Sequence, residues 1–300
     1  MRSEKLITVE GIKTYTLYET PSNGGDDSPL VLLSHALMAN HHMYDSTVQA
    51  LLSAGYRTLR YDHIGHNNSP EPPSGLSSTT NAASNTSPTT DDDDRLVTSV
   101  DFDRLTRQMH ALVQNITKQS TIHAVIGCSM GGVLAIRYAQ LYPDQISHVI
   151  SMGMPGIKSL EAAKPLWSQR IEEFEKDVRA GTDELCRKTV QRWLPGNEER
   201  SVEARREALE EVRRCSYRGY VACADGIRGY DYGDQLSKVQ AKTMVLAGDR
   251  DGACGPREGL EMVAEKIKGA EFVWFEGAGH LPPLHKREEF EELMLRFLKG

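Results

Sequence analysis

Short apolar runs alternate with longer amphipathic stretches along most of this chain. Residues 6–10 and 12–18 alternate apolar and polar positions on either side of Gly11. That period of two predicts a pair of antiparallel strands with one face toward a core. The run Leu30-Val31-Leu32-Leu33 is continuously apolar, as in a strand buried on both faces. Val48, Leu51 and Leu52 form a helical stripe that stops at Gly55, and residues 58–61 form a strand ending at Asp62. Phe102, Leu105, Met109, Leu112, Val113 and Ile116 recur at helical spacing. Strands are then predicted at 122–126, 146–152, 243–247 and 271–275. Helices are predicted at 133–142 and 260–267, and Phe290, Leu293, Met294 and Phe297 mark a closing one.

Eight strands alternating with helices predict an α/β domain with a mostly parallel sheet covered on both faces. Two segments interrupt the alternation. Between Ser69 and Asp94 the apolar residues are Leu76, Ala82 and Ala83, amid Pro, Ser, Thr, Asn and four consecutive aspartates. Such a composition does not offset the entropy of ordering the chain, so a disordered surface insertion is expected at about 69–95. Residues 155–234 are charged and helical, broken at Gly181, Pro195-Gly196 and Gly219. The expected organisation is a core of 1–154 and 235–300 with 155–234 as a helical cap over the sheet edge.

Composition narrows the class. Apolar residues make up 39% of the chain, which supports a sizeable core. The net charge of −7 argues against a nucleic-acid groove. Arg205, Arg206, Arg213 and Arg214 cluster, but Glu203, Glu207, Glu210 and Glu211 interleave with them, as on a solvated helix face. Five scattered cysteines without C-x-x-C spacing predict neither a disulfide framework nor a structural zinc. No window reaches eighteen apolar residues and no apolar signal core follows Met1. A cytoplasmic protein, monomer or homodimer, with no membrane partner is the resulting expectation.

The chemistry centres on Gly127-Cys128-Ser129-Met130-Gly131, a G-x-S-x-G motif. By composition alone it would turn up in about a tenth of chains this long, so its position matters more than its letters. It follows a predicted strand and opens a predicted helix, where a serine is held exposed on a tight turn and the new helix aims free N–H groups at the reacting centre. A serine nucleophile needs a base and the base an orienting carboxylate. Downstream, a strand runs into Gly248-Asp249-Arg250-Asp251, and another into Gly277-Ala278-Gly279-His280. Each lies just past the C-terminal end of a strand, on one edge of a parallel sheet.

In order, spacing and context these residues resemble the α/β-hydrolase family, over essentially the whole chain outside 69–94. The resemblance implies that fold, with Ser129 as nucleophile, His280 as base and Asp251, rather than Asp249, as the acid. It implies an oxyanion hole from the backbone N–H groups of Met130 and Leu37. The loop Ser34-His35-Ala36-Leu37 carries Ala36 where the family usually has glycine, which removes the freedom for positive φ. Residues Asp62 to Ser69 resemble a family turn in which Asn67 replaces a glycine, with a structural role. His35 is a candidate for ordering the oxyanion loop and His123 for sheet packing. His41, His42 and His285 are expected on the surface or in loops. His63, His66, His110 and His148 lack ligand spacing, so no metal is expected.

Residues 219–231, the elbow and the 34–37 loop are also similar to 3-oxoadipate enol-lactonases, which implies an ester or lactone substrate. The expected activity is a serine hydrolase that cleaves a small ester or lactone without a cofactor. An acyltransferase or carbon–carbon bond hydrolase with the same triad, or a non-catalytic ligand-binding receptor, are the alternatives. Within the cap, Trp167, Trp193 and Tyr217 are candidates to line an apolar substrate chamber or to pack cap helices together. Arg228 either binds a substrate carboxylate or pairs with Asp225 or Asp231.

Overall fold

The computed structural model describes residues 1–72 and 100–300. Most of the expected insertion at 69–95 lies outside the described residues. Its first residue does not: Ser69 is buried, accepts a hydrogen bond from the Tyr15 N–H and donates to the Asp62 carbonyl.

The sheet is built from β1 (Arg2–Val9), β2 (Ile12–Glu19), β3 (Leu30–Ser34), β4 (Arg57–Tyr61), β5 (Ile122–Cys128), β6 (Ile146–Met152), β7 (Lys242–Gly248) and β8 (Glu271–Phe275). The helices are α1 (Asp45–Ser53), α2 (Phe102–Thr117), α3 (Met130–Leu141), α4 (Lys164–Ala180), α5 (Glu184–Trp193), α6 (Glu199–Val212), α7 (Tyr217–Ile227), α8 (Arg257–Glu265), α9 (Pro282–His285) and α10 (Arg287–Lys299). Strand order is β1-β2-β4-β3-β5-β6-β7-β8. The hairpin β1–β2 and the β2–β4 pair are antiparallel, and every pair from β4 through β8 is parallel. The hairpin turns on Glu10 and Gly11, both at positive φ, which matches the right-handed twist of the strands.

All five residues of β3 and of β4 are buried, so both faces of the sheet are covered there. Helix α3 packs on β3, β5 and β6 and beneath α2, while α1 packs on β4 and α10. Residues from Met130 to Gln140 are all buried, which is why that segment reads as uniformly apolar rather than amphipathic. Helices α4 to α7 enter between β6 and β7, and α4 packs on both α5 and α7. They sit over the carboxyl ends of the parallel strands, the edge where α/β sheets bind ligands. No helix among the described residues is long and apolar enough to cross a membrane.

Candidate active site

Ser129 occupies a single residue between β5 and α3, at φ 56° and ψ −115°. That conformation costs a non-glycine residue about 1–3 kcal/mol. It is held because the Ser129 N–H donates to Met152 O at 2.8 Å while the Ser129 carbonyl accepts from Gly132 and Val133. Neither flanking glycine has positive φ; their role is close approach. A Cβ on Gly127 would stand 1.9 Å from the Gly131 carbonyl oxygen, and one on Gly131 would stand 2.1 Å from that of Ser34. The elbow and the loop after β3 therefore touch backbone to backbone.

The loop after β3 is braced by histidines. The His35 Nδ1–H donates to Ala36 O, and its Nε2 accepts from the His63 N–H. The His66 Nδ1–H donates to Ile64 O, and its Nε2 accepts from the Met38 N–H at 3.1 Å. Each ring uses one nitrogen as donor and one as acceptor, so the neutral form is the one that fits. Burial pushes His63 down to about 3 and His66 down to about 4, with His66 adding to the effect on His63. Burial, with His63 and His66 adding to it, takes His35 well below its usual value. Ala36 meets no strain, because the positive φ in this loop falls at Met38. The N–H groups of Leu37 and Met130 donate to no protein group among the described residues, and both residues line the same cavity as Ser129.

His280 and Asp251 are brought together at 2.7 Å, the Nδ1–H donating to Asp251 Oδ2. That leaves the His280 Nε2 lone pair available as a base. The other carboxylate oxygen of Asp251 accepts from the N–H groups of Ala253 and Cys254. Burial alone would raise the Asp251 carboxyl, but His280 and these two amides outweigh it and hold the group below the usual range. Asp249 is exposed, its N–H extending the β7–β8 ladder to Phe275 O, while the turn itself is closed by the Asp251 N–H donating to Gly248 O.

The helical block grips His280. The His280 N–H donates to the Trp193 carbonyl at 2.7 Å, and the two rings stack with centroids 5.3 Å apart. One residue earlier, the Gly279 N–H donates to His285 Nδ1, and the His285 Nε2–H donates to Ser201 on α6. His285 is thus buried within a hydrogen-bond chain rather than lying on the surface. His41 is buried too, its ring 2.8 Å from Asp62, while His42 is half-buried at the surface, beside Asp45. His41 opens a four-residue 3-10 helix and His285 closes the four-residue α9, and the partners of both rings are distant in sequence. In the turn after β4, Asn67 takes a positive φ of 45° and donates to Asp62.

Ser129, His280, Leu37 and Met130 face Trp167, Arg170, Thr189, Arg192, Trp193, Tyr220 and Ile227 across a narrow cavity of about 50 Å³. Both predicted tryptophans are there, and Trp193 also packs on the His280 ring, whereas Tyr217 is not at the cavity and packs edge-on against Phe174 of α4. Nor is Arg228: it pairs with Asp225 at 3.1 Å and donates to Ser168. As the last turn of α7 winds past it, the preceding residue, Ile227, takes the inward position. Arg170 and Arg192 fill the cationic place instead. Their signal in the sequence was an arginine next to an inward stripe, as with Thr189, Arg192 and Trp193 at i, i+3 and i+4. A larger hollow of about 610 Å³ lies away from this centre, between α6 and residues 283–287. Acids and arginines line it, with Ser46 the single hydroxyl, hydrogen-bonded to Glu291. No group of three or more metal-ligating side chains comes together among the described residues.

Residues 29–286 match the alpha/beta hydrolase fold family. A proline iminopeptidase of Pestalotiopsis fici, PfmaB, is 28% identical over 88% of this chain and 90% of that protein. The enol-lactonase of Burkholderia xenovorans superposes with a TM-score of 0.77 at 22% identity, over 99% of this chain and all of that one. An esterase from Exiguobacterium antarcticum gives 0.78 at 21% identity over the whole of both chains.

Proposed function

The chain belongs to the alpha/beta hydrolase fold family, and on that footing we propose that it is a serine hydrolase cutting a small ester or lactone. The observation that carries the reading is the Asp251–His280 pair facing the same cavity as a serine held on a strained elbow. Ser129 Oγ attacks the scissile carbonyl carbon while His280 Nε2 takes its proton. The new C–O bond makes a tetrahedral oxyanion, which the N–H groups of Leu37 and Met130 stabilise. Collapse breaks the bond to the leaving oxygen, which receives the proton from His280. Water then attacks the acyl-enzyme, giving its proton to His280, and the acid leaves as Ser129 regains its hydrogen. Asp251 keeps the imidazole in the required tautomer throughout.

The name of the Pestalotiopsis fici relative raises a peptidase reading. A substrate with a cationic amino terminus would meet two guanidiniums and no carboxylate among the lining residues, which favours the ester reading. Residues 155–234 act in this scheme as the cap, selecting substrate by shape and charge and transferring no proton.

The test is a panel of p-nitrophenyl esters and lactones together with a fluorophosphonate probe. Ser129→Ala should abolish turnover with the fold intact by circular dichroism, and the probe should label Ser129 alone. Labelling of another serine, or near-normal turnover by the variant, would remove the nucleophile assignment.

A further inference from the structure

Two arginines of the helical block face the reaction cavity without an ion pair among the described residues, Asp251 and Glu173 being the nearest acids that act on them. Arg170 comes from the middle of α4 and Arg192 from the last turn of α5. Several arginines elsewhere are matched by acids: Arg60 by Glu19, Arg137 by Asp103, Arg213 by Asp183, Arg228 by Asp225. Arg170 lies over the Trp167 ring, 4.9 Å from its centroid, and makes no ion pair among the described residues. Arg192 Nε is buried with no hydrogen-bond partner.

A half-buried guanidinium without an acceptor is costly, and two facing one cavity repel each other. Burial pulls Arg192 down to about 10, with Arg170 adding repulsion, and burial lowers Arg170 as well. Both nonetheless stay protonated at neutral pH. The fork of N–H donors on each matches a carboxylate. Trp167, Tyr220 and Ile227 supply apolar wall alongside them, suited to the hydrocarbon joining such a carboxylate to the scissile bond.

We propose that Arg170 and Arg192 receive a carboxylate of the substrate, so that the ester or lactone cut at Ser129 is an anionic one. This rests on the serine-hydrolase reading and specifies its substrate class. The cationic element is this pair and not Arg228, whose charge is already met by Asp225.

The experiment compares two p-nitrophenyl esters of matched chain length, the mono-ester of adipic acid and the hexanoate. The wild-type ratio of kcat/KM should favour the adipate ester by about tenfold to a hundredfold, as hydrogen bonds to charged groups imply. In Arg192→Gln and in Arg170→Gln that ratio should collapse, chiefly through KM, and Arg192→Lys should recover part of it. A wild-type ratio near one, or a ratio unchanged in both variants, overturns the inference. If the wild type cleaves neither ester, the hydrolase reading falls, and calorimetry with adipate decides the arginines separately. Binding lost in Arg192→Gln upholds the anion site, and no binding by folded wild type overturns it.

Discussion

Asp249 and Asp251 are two residues apart and chemically identical, yet only one has an environment that suits a catalytic carboxylate. The Asp251 carboxylate is buried and takes three hydrogen bonds, from His280 and the N–H groups of Ala253 and Cys254, while the Cys254 thiol meets its carbonyl, whereas Asp249 points to solvent. Replacing Asp251 by Asn removes the charge that steadies the imidazolium and presents the wrong partner to Nδ1–H. Asp251→Asn should lower kcat by about 10⁴, the loss seen when a related triad loses its carboxylate. Asp249→Asn should stay within about tenfold. Steady-state kinetics on one ester checks both, and the opposite ranking would reassign the acid. The same scale explains Arg228 and Arg192. Both lie at helix ends in the 155–234 block, and the facing of each decides that Arg228 meets Asp225 while Arg192 lines the cavity.

At the level of elements, the turn between β8 and α9 is clamped from two sides. Trp193 at the end of α5 accepts the His280 N–H, while His285 in α9, anchored by Ser201 of α6, accepts from Gly279. Gly279 permits this approach, since a Cβ there would stand 2.3 Å from the Trp193 carbonyl oxygen. Gly279→Ala must push α5 and the base apart, so kcat should fall by at least tenfold and Tm should drop. Gly229→Ala is the comparison, because its Cβ would meet nothing nearer than the Asp225 carbonyl at 3.8 Å. Calorimetric melting and kcat for the pair are the measurements. Equal, small effects in the two variants would show that the clamp yields freely and that cap and base are not mechanically linked.

For the whole molecule, stability should depend on pH through the buried histidines. His63 and His66 titrate at about 3 and about 4 in the fold, below the ordinary value of 6.5, and His35 is lowered as well. Below pH 6.5 the unfolded chain takes up protons that the folded chain refuses. Their contribution is therefore complete above pH 6.5 and is lost progressively as pH falls toward 4 and 3. Tm should decline between pH 7 and pH 5, before ordinary carboxylates titrate. His66→Gln, which keeps a donor and an acceptor, should flatten part of that slope. A wild-type Tm constant over this window would mean that the oxyanion loop is not braced by neutral imidazoles.

Much of this protein is determined by sequence alone, because much of it rests on local periodicity. The eight strands, the order of helices and the parallel sheet follow from runs such as 30–33 and 243–247, whose burial on both faces leaves a continuous apolar signature. The serine elbow is legible for the same reason: strand, glycine-flanked serine and helix are contiguous. Asn67 in the 62–69 turn was legible too, since its left-handed tolerance is a property of the residue itself. What tertiary structure decided involves partners distant along the chain. His35, His63 and His66 converge on one loop across 28 and 31 residues, His285 reaches Ser201 across 84, and Arg170 meets Arg192 from separate helices. Spacing along a strand or helix sets which face a residue takes. It does not set which other element that face will meet, and the charge and protonation of this site depend on those meetings.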